Sequence, residues 1–166
     1  MGQDEVFSPG DSLRNVEILH VDGDSQRRDA LRRLLLSLGA ARVQVAESAK
    51  EAIKVALGTP CNLVICEYRM TPMDGIQLVR EIRAVANFPR AHVPVLIVSD
   101  PVSSDIIAAA FEAGANHFMI RPLHAPKLYE RIVWILGDSR SFVVKDGRYV
   151  IEAAKPKGPT RTAATK

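Results

Sequence analysis

Five short apolar runs alternate with five segments of helical period over residues 16–137, and this alternation restricts the fold more than any other property of the chain. The runs are 16–21, 42–46, 63–67, 93–99 and 117–120. Their length and their content of Val and Ile predict strands, and the first, third and fourth are almost continuously apolar, as strands covered on both faces are. The intervening segments carry helical stripes with recognisable ends. Ala30, Leu31, Leu34, Leu35 and Leu38 form one stripe, ended by Gly39. Ser48 with Glu51 reads as a capping box, and the third helix begins near Gly75 and presents Ile76, Val79 and Ile82. Ser103 or Ser104 caps a fourth, with Ile106, Ile107, Ala110 and Phe111, stopped at Gly114; the fifth follows Pro126 and shows Leu128, Ile132, Ile135 and Leu136.

Strict alternation of strand and helix implies parallel strands joined by right-handed helical crossovers, hence a doubly wound α/β domain. In such a sheet the ligand site lies at the carboxyl ends of the strands, near the point where strand order reverses. The residues at those ends are Asp22, Gly23 and Asp24, then Glu67, then Ser99 and Asp100, then Arg121. Carboxylates, a hydroxyl and a cation are thus expected to converge there.

At 166 residues and 47% hydrophobic, the chain can build one core with residues left for extensions. No run approaches the roughly 18 apolar residues of a membrane span, and the start, with Asp4 and Glu5, lacks the apolar middle of a signal peptide. A cytoplasmic location and no membrane contact are expected. Cys61 and Cys66 lie too close along one extended segment to bridge and have no metal-ligand partners at usable spacing, which predicts reduced thiols in or beside the core. Charge is concentrated at one end: residues 138–166 hold seven Lys or Arg against three acids, a net of +4, leaving −1 for the rest of a chain of net +3. Such a tail is either solvated or drawn to nucleic acid, a nucleotide or an acidic partner.

Val21-Asp22-Gly23-Asp24, Glu67 with Met70 and Met73-Asp74-Gly75, Val98-Ser99, Ala113-Gly114-Ala115, and Phe118 followed by Arg121-Pro122 resemble, in order and spacing, the successive motifs of response-regulator receiver domains. The resemblance covers residues 16–137. It implies a flavodoxin-like five-stranded sheet in the order 2-1-3-4-5, phosphoryl transfer from a histidine kinase to an aspartate with Mg²⁺, and signalling through the face of the fourth helix, fifth strand and fifth helix.

That chemistry needs a nucleophilic carboxylate, a metal held by neighbouring acids, and a lysine and a hydroxyl on the phosphoryl oxygens. Carried over by position, Glu67 stands at the acceptor site, Asp22 and Asp24 in the acidic pocket, Ser99 and Phe118 at the switch positions and Arg121 at the lysine position; Asp74 and Gly75 form the turn. Gly23 stands where the second acid belongs, so Mg²⁺ is expected weakly, through Asp22 and Glu67, if at all. Glu67 is one methylene longer than aspartate, and a misplacement of about 1 Å costs on the order of a hundredfold in rate. The planar guanidinium of Arg121 suits a carboxylate, so a direct Glu67–Arg121 pair is expected. Thr71-Pro72 sets the proline one residue later than the usual Met-Pro order, reshaping the adjacent loop.

Plainer roles stand beside these. Asp24 is a natural helix N-cap, Asp74-Gly75 a turn, Ser99 an ordinary hydroxyl and Phe118 a core aromatic. His20, His92, His117 and His124 show no ligand spacing and are assigned to packing or surface. Arg27, Arg28, Arg32 and Arg33 read as a solvated helix face or a docking face.

Residues 141–151 read as two short strands around Asp146-Gly147, a hairpin that needs a surface to pack on. Residues 153–166 offer little to bury and are expected to be disordered. The expected organisation is a flexible segment 1–14, a receiver-like domain 15–137, a hairpin extension 138–152 and a disordered basic tail 153–166. The expected function is a non-phosphorylated adaptor in two-component signalling, binding a kinase, phosphotransferase or downstream target, with a homodimer open. The alternatives are phosphotransfer with unusual chemistry at Glu67 or Asp22, and binding of a cyclic dinucleotide or nucleic acid by the basic extension.

Overall fold

The computed structural model of the chain describes residues 9–152. Strands β1 (Glu17–Val21), β2 (Arg42–Ala46), β3 (Leu63–Glu67), β4 (Val95–Ser99) and β5 (His117–Ile120) form one sheet in the order β2-β1-β3-β4-β5. All four pairings are parallel. Helices α1 (Ser25–Ser37), α2 (Ala49–Gly58), α3 (Gly75–Ile82), α4 (Ser104–Ala113) and α5 (Ala125–Leu136) supply the crossovers. The direction of winding reverses at β1, which pairs with both β2 and β3, and the register Val21↔Cys66 sets Asp22 and Glu67 side by side at the carboxyl ends.

Alternation along the strands sorts side chains between two cores. Leu19, Val21, Val64, Cys66 and Ile97 pack with residues of α2, α3 and α4, whereas Ile18, Leu63, Ile65, Leu96 and Val98 pack with Leu31 and Leu35 of α1 and Leu128, Ile132 and Ile135 of α5. The alternation places His20 and Glu67 on the α1/α5 side. Strand β4 begins at Val95 rather than Val93, because Pro94 has no N–H to pair; its carbonyl still accepts from the Val64 N–H at 2.9 Å.

The helix starts follow their side chains. Asp24 accepts from the Arg27 N–H at 2.8 Å, and Asp74 and Gln77 exchange reciprocal bonds. Ser48 accepts from Glu51 N–H, but the Glu51 carboxylate takes the N–H of Glu47 instead of that of Ser48, so the expected reciprocal box is offset by one residue. Ser103 occupies the N-cap of α4 without a side-chain bond. At the other end of α4, Gly114 adopts φ +107°, and a side chain there would meet Arg83 and the Tyr149 carbonyl at 3.1 Å.

One boundary differs from expectation, and the expected hairpin forms. Residues 11–13 form a 3-10 turn with Leu13 fully buried in the α1/α5 core, so ordered structure starts inside the segment 1–14, anchored by one apolar side chain. The hairpin is present as β6 (Phe142–Lys145) and β7 (Arg148–Ile151), antiparallel, with Asp146 and Gly147 at φ 52° and 74°, the positive values that a type I′ turn requires. Residues 1–8 and the expected tail 153–166 lie outside the described residues. Among the described residues no helix is long and apolar enough to cross a membrane.

The surface on which the hairpin packs is organised by Arg83, a residue with no sequence signal for the role. Its side chain is fully buried at the end of α3. The guanidinium donates to the carbonyl of Gly114 at 3.0 and 2.8 Å, to that of Ala91 at 2.7 Å, to that of Val93 and to Asn116 Oδ1 at 3.0 Å. The Phe142 ring covers it at 4.9 Å, and the Arg83 carbonyl accepts from Tyr149 N–H at 2.8 Å. Burial lowers the guanidinium to about 9, and the four acceptor groups hold it in the core without a carboxylate. Arg83→Met leaves those acceptors without a donor and is expected to destabilise the fold by about 3 kcal/mol or more; urea unfolding measures it, and a loss below about 1 kcal/mol would refute this account of the anchor.

Candidate functional site

The two carboxylates at the switch point are almost completely buried, Asp22 at 1% and Glu67 at 2% exposure. Each carries a guanidinium. Arg27, one turn into α1, donates through Nε to Asp22 Oδ2 and through Nη2 to Oδ1, both at 2.9 Å, the bidentate geometry that makes arginine–carboxylate pairs strong. The Asp24 N–H adds a third bond to Asp22 Oδ1 at 2.9 Å, and Arg28 Nη1 bonds the Asp22 carbonyl at 2.9 Å. Arg121, on the loop that follows β5, pairs through Nη2 with Glu67 Oε2, and the same Nη2 lies 3.9 Å from Asp22 Oδ2. Its Nη1 reaches exposed Asp100 at 3.2 Å, and the other Glu67 oxygen accepts from Arg69 N–H at 3.2 Å.

Burial pushes the Asp22 carboxyl up, but the Arg27 hydrogen bonds, the Asp24 amide and the Arg27 charge together outweigh it and hold the group below its usual range. The hydrogen bonds to Asp22 raise Arg27 correspondingly. The result is a cluster of two carboxylates and two guanidiniums whose charges cancel locally; the carboxylates are deep enough that leaving either unpaired would be costly, while Arg27 and Arg121 keep partial contact with solvent.

The structure therefore brings Asp22, Glu67 and Arg121 together, and the expected Glu67–Arg121 contact is made. It adds Arg27, which helical spacing alone reads as part of a solvated face or a docking face. Arg27 and Arg28 turn back from the first turn of α1 because Asp22 lies directly beneath the helix start. The available signal was the i, i+5 spacing of Asp22 and Arg27 across a strand-to-helix turn. Asp24 does not join the cluster; it is exposed and caps α1. Asp74 caps α3, and Gly75 is required by close approach, since a Cβ there would lie 2.5 Å from the Glu67 carbonyl. Ser99 is fully buried and its Oγ bonds nothing among the described residues, while its carbonyl accepts from Arg121 N–H at 2.9 Å. Phe118 packs in the core on the α2–α4 side.

A magnesium ion of the kind receivers use asks for near-octahedral oxygen ligands. Here both Asp22 oxygens accept from Arg27, Glu67 is held by Arg121 and the Arg69 amide, and Gly23 supplies no side chain. The donor set does not fit a divalent cation, because the charges of Asp22 and Glu67 are already answered by guanidinium groups and no further carboxylate is supplied at Gly23.

Comparison with known proteins agrees with this arrangement of strands. The family model described as the response regulator receiver domain matches residues 18–133. The chain is 30% identical over 119 residues to chemotaxis protein CheY-3 of Vibrio cholerae serotype O1, covering 72% of this chain and 90% of that protein. It is 34% identical over 129 residues to transcriptional regulatory protein ZraR of Klebsiella oxytoca, covering 78% of this chain but only 28% of that longer protein. Among solved structures, the response regulator receiver protein of Pseudomonas putida superimposes with TM-score 0.63 at 28% identity, covering 71% of this chain and 95% of that one. Chemotaxis protein CheY4 of Vibrio cholerae superimposes with TM-score 0.67 at 20% identity, covering 73% and 98%, a likeness of fold. Receiver domains interact with histidine kinases, phosphotransferases and downstream targets in two-component signalling. With its motif order, its 2-1-3-4-5 sheet and the match over residues 18–133, the chain belongs to the response regulator receiver domain family.

Proposed function

We propose that this chain is an atypical receiver, a protein-binding adaptor whose state is set by internal ion pairs instead of by phosphorylation. The observation that carries this reading is the occupation of both pocket carboxylates: Glu67 by Arg121 and Asp22 by Arg27. A nucleophilic carboxylate must present a lone pair to phosphorus, and the oxygens of Glu67 are engaged by Arg121 and the Arg69 amide. A cation bridging that carboxylate to the loop after β5 does electrostatically what a phosphoryl group does through lysine in relatives: it ties β3 to β5. The family's signalling face then presents Phe111, Ile120 and Trp134, each more than a third exposed, to a protein partner.

Incubation of the whole chain with acetyl phosphate and Mg²⁺, followed by intact mass measurement, is expected to show no gain of a phosphoryl group. A stoichiometric gain would sink the adaptor reading. Glu67→Asp alone is expected to stay unlabelled as well, because Arg27 still holds Asp22 and Gly23 still lacks a carboxylate.

The same pairing sets the response to acid. Asp22 has a folded-state pKa below its ordinary 3.8, so its contribution is complete above that value and is lost as pH falls through the depressed folded value. Thermal unfolding of the wild type is therefore expected to weaken steeply below about pH 4, with a shallower decline in Asp22→Asn. Identical acid profiles for the two proteins would contradict the assignment.

A further inference from the structure

The hairpin β6–β7 has two edges, and the fold closes only one of them. At β7 the Tyr149 N–H donates to the Arg83 carbonyl at 2.8 Å, the Gly147 carbonyl accepts from the Val85 N–H at 3.1 Å, and Ala84 bridges Arg148. β6 pairs with β7 and with no other strand among the described residues. The register shows which of its groups face outward. The Ser141 carbonyl accepts from the Glu152 N–H at 2.8 Å, and facing residues of an antiparallel pair alternate between bonded and non-bonded. Val143 and Lys145 therefore bond inward to Val150 and Arg148, while Phe142 and Val144 turn their N–H and C=O away from β7. The Phe142 ring, stacked on His92 at 4.2 Å and lying over Arg83, fixes the strand in place. Beside it Val144 is 61% and Val143 38% exposed. An ordered edge that carries exposed apolar side chains is a template for a further strand.

We propose that the β6 edge is an interaction surface for a second copy of this chain, the two β6 strands pairing antiparallel about a two-fold axis at Val143. Two hairpins then form one four-stranded sheet. The outward groups select this register. Centred on Val143, Phe142 and Val144 of one copy face Val144 and Phe142 of the other, and every outward N–H and C=O of both strands is paired. Centring on Phe142 would set Val144 against Arg140, whose N–H is held by the Asp138 carboxylate at 3.1 Å. Centring on Val144 would set Phe142 against Asp146, in the turn at φ 52°. The chosen register also covers both exposed valines, Val143 with its own counterpart and Val144 with Phe142 of the second copy. Charge favours a self-partner over a charged peptide. Residues 141–152 hold two bases, Lys145 and Arg148, against two acids, Asp146 and Glu152, a net of zero, so neither an acidic nor a basic strand finds an excess to answer. Across the axis Lys145 falls opposite uncharged Ser141, and Asp146 opposite Arg140, so like charges do not meet. One strand pair is a small contact, which makes the dimer concentration-dependent. The pairing draws on nothing in the Glu67–Arg121 site and stands apart from the adaptor reading.

Sedimentation velocity of the whole chain, from about 20 to about 500 µM, is expected to show monomer giving way to dimer. Val144→Pro deletes the outward N–H at a position whose N–H the β6–β7 ladder does not use, and Val144→Lys sets a charge on the edge. Both are expected to stay monomeric over the same range with unchanged circular dichroism. Cross-linking reads the register. In a Cys61→Ala background, which removes the half-buried native thiol, Val143→Cys is expected to form a disulfide-linked dimer with diamide as oxidant. Its Cα would lie about 4.5 Å from its counterpart, within disulfide reach. Lys145→Cys, whose counterpart sits four residues further along the ladder, roughly 13 Å away, is expected to link about tenfold more slowly or not at all. A wild type that stays monomeric at the highest concentration would leave the edge to another chain or to solvent and overturn the proposal. So would a dimer that persists in a folded Val144→Pro, or Lys145→Cys linking as fast as Val143→Cys. Labelling of Glu67 by acetyl phosphate would sink the adaptor reading and leave these measurements as they are.

Discussion

Two carboxylates buried side by side at the ends of neighbouring parallel strands must be neutralised, and much of the site is arranged around meeting that need. The β1–β3 register sets Asp22 and Glu67 next to each other, where water cannot screen them and mutual repulsion would otherwise protonate one of them. A metal ion or a proton could satisfy them. This chain supplies two arginines from opposite sides, Arg27 from the first turn of α1 and Arg121 from the loop after β5. The start of α1, the Asp24 cap and the path of the β5–α5 connection all follow from bringing those cations into place.

The far end of the sheet shows the same principle with the signs reversed. Arg83 is a buried cation satisfied by backbone carbonyls at a helix end and by Asn116, which passes a bond on to Asp138. Asp138 in turn holds Arg140, whose guanidinium lies over the exposed Trp134 ring of α5. The hairpin extension is therefore continuous with the body of the domain, and its approach passes beside the exposed Trp134 of α5. Buried polar networks of this sort specify one packing arrangement only when every member is satisfied, and Phe142 completes this one by closing Arg83 from solvent.

Much of the fold was legible because hydrophobic period reports secondary structure directly. β1, β2, β3 and β5 and all five helices lie where periodicity and capping residues placed them, and strict alternation sufficed for a parallel sheet. The candidate site was legible in part. Asp22, Glu67 and Arg121 stand at strand ends, a position that topology alone makes functional. Arg27 was hidden because a helical wheel treats a first-turn arginine between polar neighbours as solvated, and a wheel carries no information about what lies below the helix start. Arg83 was hidden for a related reason: nothing in a polar residue at a helix end announces that two chain segments, 91–93 and 114–116, will turn their oxygens toward it. Leu13 was assigned to a tail because one apolar residue has no period.

The sequence by itself determined the alternation, the order of motifs and the presence of Glu67 at the end of β3 and of Arg121 just after β5. These are local properties, set by side-chain chemistry and by spacing along the chain. Only the tertiary structure decided which charges meet. Asp22 and Arg27 are five residues apart and Glu67 and Arg121 fifty-four apart, yet the two pairs form one neutral cluster, because the free energy of a buried charge depends on its neighbours in space.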